Sequence, residues 1–573
     1  MIYYNTYQKN NRKKAIIISV IALVVILVIK SFIFPASNNY GRRTISFDKI
    51  QYHHVDVNSV IDVFREAIIV ISGENSYNDQ LRAAQSVNYD YWEFYTMSTY
   101  AQIKYNSNTA DEYYSAEVEY YNKNEPILEQ KVADYYITCS KSVYADKFES
   151  EYFGEGCYDA YADGNFYTDE IVELMQEEAD LVEQYYELYA SPVIEYEGKE
   201  QELSTILSED IDDTEYYEVL VLYYDKYNKL LGEIYIDLVE VRHDIADEMG
   251  YDRYIDYAYD SFSREYTPGD VSNFTEDIKE YIVPLYKRLN TEGYYDKDYA
   301  LPMADNEMLY AIEKSTQKMS SKIKSIFNYL ENYNLYDIEY SPDKMTTTYQ
   351  TYLQTFDAPF IFMNSTGSIY DLSDFAHEFG HFTDSYINYN QTYIIEDAEA
   401  ASQGMEYLLL NYLSGCTDEV KEAVKTSAFL TAVDTYIYQG YYNAFEEEVY
   451  SLDEDTLTVD MLNEIAGKNA KEFGITTSDS DEYYMFSWID IEHFFVSPFY
   501  VTSYFVSIDT AIQLYEMDLA EAGAGVDAYL DMLERDFSKT YFENLERVGL
   551  KSPFIEGRVE MTVTLLKKAI YED

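Results

Sequence analysis

His377-Glu378-Phe379-Gly380-His381 sets two imidazoles four residues apart with a carboxylate between them. At about 3.6 residues per helical turn, positions i and i+4 share a face, so both rings can reach one metal ion. Glu378 stands beside the first ring, where it can reach a water on that metal without being a ligand, and this is the H-E-x-x-H arrangement of hydrolytic zinc sites. With six histidines in 573 residues, such a pentapeptide arises by chance roughly once in a hundred comparable chains. A catalytic zinc needs a third protein ligand and an open position. Glu396, Glu399 and Glu406 lie downstream in one helical stretch, and spacing does not choose among them.

The elements that must position these groups are legible around them. Leu372, Phe375, Ala376, Phe379, Phe382 and Ile387 recur at helical spacing, which predicts a buried helix from about Asp371 to Tyr389 with Asp371 or Ser373 as N-cap. Before it, Pro359 to Met363 and Ser368 to Tyr370 flank Asn364-Ser365-Thr366-Gly367, a pattern that predicts a hairpin leading into the helix. An edge strand there could pair with an extended peptide.

Three blocks resemble the thimet oligopeptidase and oligoendopeptidase F family of zinc peptidases: the H-E-F-G-H segment, Glu399-Ala-Ala-Ser-Gln403, and Trp488-x-x-Ile491-x-His493-Phe494-Phe495 leading to Tyr500 and Tyr504. A fainter block runs from Val241 through Arg242 and His243 to Tyr251. The resemblance implies one zinc ion per chain held by His377, His381 and Glu399, with Glu378 as general base. It also implies that His493, Tyr500 and Tyr504 bind substrate and stabilise the oxyanion. The fold it implies is mainly α, two-lobed around a deep substrate channel, with a small β-hairpin or edge strand beside the zinc helix. The chain departs from the pattern at Asp384, where the family often has a further histidine, and at Ala401, where it has proline. Asp384 shares a face with both histidines, so it either orients a ligand imidazole from outside or faces solvent.

The resemblance makes the expected function a zinc endopeptidase acting on oligopeptides; the alternative is a non-catalytic surface protein that binds zinc or peptide on the same fold. The 21 glycines and 10 prolines are few, which favours helices. Lys+Arg of 41 against Asp+Glu of 105 gives a net charge of −64, a field that repels nucleic acid and excludes it as a partner. Most of the 68 tyrosines are expected to pack with their hydroxyls at the surface. Cys139 and Cys157 could be bonded or free; Cys416 is unpaired either way.

The first 47 residues hold seven basic side chains and no acid, and Ala15 to Ile29 carries no charge. This predicts a cytoplasmic basic flank (1–14), a transmembrane signal anchor (15–34) and a linker (35–57). A helical N-terminal region (58–213) and a catalytic region (214–573) follow. The expected location is a single-pass cell-membrane protein with its catalytic region outside the cytoplasm, or a secreted one if the leader is cleaved.

Overall fold

The computed structural model describes residues 45–571 apart from 155, 159–168, 190–191, 208–210, 212, 298, 390–393, 479–480 and 538. Helices dominate it. Val57–Ser72 (α1), Tyr77–Ser107 (α2) and Glu112–Ser140 (α3) open the described chain. Each starts where a short polar side chain takes over an unpaired N–H: Asp56 accepts from Asn58, Ser76 from Asp79, and Asp111 from Tyr113 and Tyr114. These three helices enclose an apolar cluster that includes Phe64, Val87, Tyr91, Phe94 and Tyr135. Cys139 and Cys157 are buried in the same cluster and are not joined by a disulfide.

Asp169–Tyr189 (α4) packs along Asp213–Glu248 (α5), and between them Val193–Tyr196 (β1) pairs with Lys199–Glu202 (β2). The turn residues Glu197 and Gly198 both have positive φ (50° and 75°), the left-handed pair that a two-residue hairpin needs.

The second sheet supports the H-E-x-x-H segment. Its order places Ala358–Met363 (β5) in the middle, parallel to Tyr336–Asp337 (β3) and antiparallel to the edge strand Thr348–Leu353 (β4). The hairpin is therefore β4–β5, with Leu353 opposite Ala358, and not the 359–370 hairpin that the sequence pattern predicts. Residues 364–369 run on as a loop, held by Asp371, whose carboxylate accepts the N–H groups of Thr366 (2.9 Å), Gly367 (2.7 Å) and Ser368 (3.1 Å). Asp371 is thus inside the helix rather than its N-cap, which is Ile369.

Tyr370–Asn388 (α6) packs against Ile395–Tyr412 (α7), and α7 against Val501–Ala520 (α10). Two further helices bear on the site: Gly440–Val449 (α8) and Glu492–Val496 (α9). Phe47, in the stretch expected to be linker, lies 4.3 Å ring to ring from Phe360 of β5 and donates its N–H to Tyr333 (2.9 Å).

The expected membrane placement is corrected. No helix among the described residues is long and apolar enough to cross a membrane, and the 15–34 segment on which a single-pass anchor rested lies outside them.

Candidate metal centre

The spacing of α6 does what the pentapeptide requires. His377 and His381 present their rings on one face with centroids 5.0 Å apart, and α7 crosses that face. Gly380 permits the crossing: a Cβ there would lie 2.5 Å from both the Ala401 carbonyl oxygen and Ser402 Cα. The approach carries Glu399 to the histidines, its Oε2 3.7 Å from His377 Nε2. Donor atoms of His377, His381 and Glu399 all lie within 4.8 Å of one another. Tetrahedral ligands at about 2.1 Å from an ion stand about 3.4 Å apart, so small side-chain adjustments suffice to hold one. Of the other two carboxylates in the stretch, Glu396 faces away into a buried pair with Arg264 (3.2 Å), whereas Glu406 Oε2 sits 3.7 Å from His377 Nδ1.

The electrostatics call for a cation. Glu378 is 7% exposed; burial, with the charges of Glu399 and Asp374 adding, pushes its carboxyl up to about 7 against the pull of His377. Burial also raises Glu399. For His377 burial acts downward, but hydrogen bonding to Glu406 and the charges of Glu378 and Glu399 outweigh it and push the imidazole up to about 9. His381 is held well below its ordinary range by burial and by its neighbour His377. Carboxylates favour positive charge here while the His381 ring stays neutral, with one nitrogen lone pair to offer a metal. Two imidazoles and a carboxylate around such a point fit a borderline-soft divalent ion.

The third motif arrives from the far side. His493 in α9 stacks on Tyr500 with rings 5.2 Å apart and 7° from parallel, and Tyr504 lies 6.0 Å from His493 and 5.4 Å from Tyr500. Tyr500 donates to Glu399 Oε1 (3.4 Å). Burial pushes His493 down to about 4 and raises both phenols, so neutral donors line this side. His493, Tyr500 and Tyr504 are therefore gathered beside the three metal-ligand candidates.

Two supporting groups find their partners only in the fold. Arg242 of α5, within the fainter block, is fully buried and donates to the carbonyls of Phe494 (3.0 Å) and Phe495, fixing α9. Asp384 neither faces solvent nor stands alone: it is 2% exposed, pairs with buried Arg535 and accepts from Asn388 (2.7 Å). His53 and His54 lie near Glu93 and Glu117 far from this centre in the chain, and His243 packs on Tyr450.

A model of the peptidase M3 N-terminal domain matches residues 47–158, and one of peptidase family M3 matches 322–562. An oligoendopeptidase F homolog of Borreliella burgdorferi is 27% identical over 225 residues, 37% of this chain and 38% of that protein, so the chain spans well under half the length of this curated relative. Two solved structures, one assigned to oligoendopeptidase F and one of PZ peptidase A with an inhibitor, each superpose with a TM-score of 0.75 at 23% identity, covering 92% of this chain and 99% of theirs. Oligoendopeptidase-F from Enterococcus faecium gives a TM-score of 0.59 at 16% identity, over 91% of this chain and 97% of that one. At these identities the structures establish the shared, mainly α fold. With both M3 models matched in order along the chain, it belongs to peptidase family M3.

Proposed function

We propose that the chain is a zinc-dependent endopeptidase that hydrolyses internal bonds of oligopeptides, with His377, His381 and Glu399 as ligands of one ion and Glu378 as general base. The observation that carries this reading is the convergence of those three donors within 4.8 Å beside a buried carboxyl held near pH 7. Zinc, when bound there, supplies Lewis acidity and lowers the pKa of an attacking water. Glu378 takes the proton that this water sheds and hands it to the departing amine, a task for which a carboxyl poised near neutrality is suited. Tyr500 and Tyr504, kept as phenols by burial, donate to the oxyanion, and neutral His493 aids them.

Strand β4 positions the peptide. It is one edge of the sheet, and the backbone of its Gln350 hydrogen-bonds to Glu378. An extended substrate added along β4 therefore brings its backbone past the base. The catalytic region is proposed to be residues 214–573, preceded by the helical region 58–213.

The test is bound metal measured together with cleavage of internally quenched peptides, in the native sequence and in Glu378→Gln. Near-stoichiometric zinc in both, with turnover lost by a factor of about a hundred or more in the variant, is expected. Full activity in Glu378→Gln sinks the base assignment. Folded protein that takes up no zinc sinks the ligand set, and zinc without cleavage of any peptide favours a binding role on the same fold.

A further inference from the structure

Phe499, the residue before Tyr500, has φ of +64°, a left-handed conformation that a bulky side chain rarely adopts, and its ring is wholly buried. Such a conformation persists only where the surroundings over-determine it. Both polar groups of Phe499 are gripped by buried ionisable side chains: its N–H donates to Glu446 of α8 (3.0 Å), and its carbonyl accepts from Arg264 (2.8 Å). The same guanidinium donates to Ser503 (2.9 Å) and to Glu396 (3.2 Å). Ser503 and Tyr266 also donate to Glu396. Glu396 is one helical turn before Glu399 on α7.

Arg264 thus joins the two sides of the site. Through Glu396 it holds the helix that carries Glu399, and through the Phe499 carbonyl and Ser503 it holds the start of α10, which has Tyr500 as its N-cap residue and carries Tyr504. Its guanidinium carbon also lies 4.8 Å from the ring centre of Phe262, which in turn meets the Tyr500 ring edge-on at 6.2 Å. The arginine lies in the loop after Ser261, more than a hundred residues before either motif, and has no local sequence signal. A buried arginine that served packing alone would need one carboxylate partner; this one is spread over a backbone carbonyl, a hydroxyl and a carboxylate from two elements.

We infer that Arg264 is a positioning residue that fixes the Tyr500 hydroxyl against Glu399 by holding Phe499 in its left-handed conformation. This rests on the proposed role of Tyr500 as an oxyanion donor. Lysine keeps the charge but loses the planar fork, so it cannot hold the carbonyl, the hydroxyl and the carboxylate together.

The experiment is a double-mutant cycle on kcat with Arg264→Lys and Tyr500→Phe, alongside zinc content, KM and the crystal structure of Arg264→Lys. Tyr500→Phe is expected to lower kcat on the order of a hundredfold, as loss of one oxyanion donor does. Arg264→Lys should lower kcat by about tenfold or more with KM and zinc content held, and should cost nothing further once Tyr500 is phenylalanine. If Arg264→Lys lowers kcat by the same factor in both backgrounds, its role is structural and the inference fails. If Tyr500→Phe keeps full kcat, the oxyanion reading is what fails, and the crystal structure decides the placement. A Tyr500 hydroxyl displaced from Glu399 then upholds it, and an unmoved one overturns it. Should Arg264→Lys not fold, Glu446→Leu removes the acceptor of the Phe499 N–H and enters the same cycle with the same expectations.

Discussion

Glu378, Glu399 and Glu406 sit around His377, yet their surroundings set them apart. Glu378 is buried with its carboxyl pushed up to about 7, which suits proton transfer. Glu399 Oε2 approaches the face where the two rings converge while Oε1 accepts from Tyr500, which suits a ligand oriented by a phenol. Glu406 stands at the opposite ring nitrogen of His377, which suits an acceptor that fixes the tautomer and raises the basicity of a ligand imidazole. The residue types and the i, i+4 pattern made His377, Glu378 and His381 legible from the sequence alone. Glu399 was legible only through its resemblance to a family block, because three carboxylates on one helix look alike until packing turns Glu396 to Arg264 and sets Glu399 and Glu406 at different nitrogens of His377. Glu399→Ala is accordingly expected to abolish stoichiometric metal binding. Glu406→Gln should keep the metal but weaken it by roughly tenfold, as loss of such an outer partner does. Competition against a chelating dye measures both, and equal losses in the two variants would contradict the division of roles.

At the scale of elements the site depends on how closely α6 and α7 approach, and Gly380 governs that distance. An alanine methyl at 2.5 Å from the backbone of Ala401 and Ser402 has no flexible side chain to displace, so the helices themselves must part. Gly380→Ala is expected to cost about 1–3 kcal/mol of stability and to lower metal affinity at once, since Glu399 rides on the displaced helix. Gly404, also on α7, meets only the side chains of Leu514 and Tyr529 at 3.1 Å, so Gly404→Ala should cost less and leave the metal bound. Thermal unfolding and metal titration of the two variants check this, and a Gly380→Ala protein with native metal affinity would show that the approach distance does not matter. The H-E-F-G-H helix could be read from its apolar spacing to within a residue at each end. The hairpin could not, because β5 finds its antiparallel partner in β4, and local turn chemistry at Asn364 to Gly367 suggested a nearer one. The capping carboxylate of Asp371 misled in the same way: it serves the loop behind the helix instead of the first free N–H groups ahead of it.

Across the whole molecule, 105 acids face 41 lysines and arginines, and the 68 tyrosines help to resolve that imbalance. Far from keeping their hydroxyls at the surface, as amphipathic packing predicts, many are buried and donate to carboxylates: Tyr223 (2.9 Å) and Tyr224 (2.7 Å) to Asp490, Tyr186 to Glu492 (2.9 Å), and Tyr91 to Glu129 (3.1 Å). A phenol satisfies a buried carboxylate oxygen without adding a second charge that must also be desolvated. It does not supply a full positive charge, so burial still raises acids held by phenols, such as Asp490 and Asp434, as it does other buried acids. Asp490 and Asp397 are pushed up to about 6, Asp434 to about 7 and Glu446 to about 8, in each case mainly by desolvation. A carboxyl whose pKa is higher folded than unfolded favours the folded state most when protonated. Its contribution is fully present below the unfolded value near 4 and is lost as pH rises through the folded one. That loss runs from about pH 4 to about pH 7 for Asp434 and from about pH 4 to about pH 8 for Glu446; above about pH 6.5 it is no longer opposed by His381 and His493, both lowered by burial, while His377, raised to about 9, loses its contribution in the same sense. The metal-free protein is therefore expected to melt at progressively higher temperature as pH is lowered from about 8.5 to about 6.5, with relief of self-repulsion acting in the same direction. Glu446→Gln keeps an acceptor for the Phe499 N–H but has no proton to lose, so it should flatten this slope and melt above the native protein at the alkaline end. A melting temperature that rises with pH would contradict this account, and a slope unchanged in Glu446→Gln would show that His377, raised to about 9, and the surface charge set the pH dependence instead of this carboxyl.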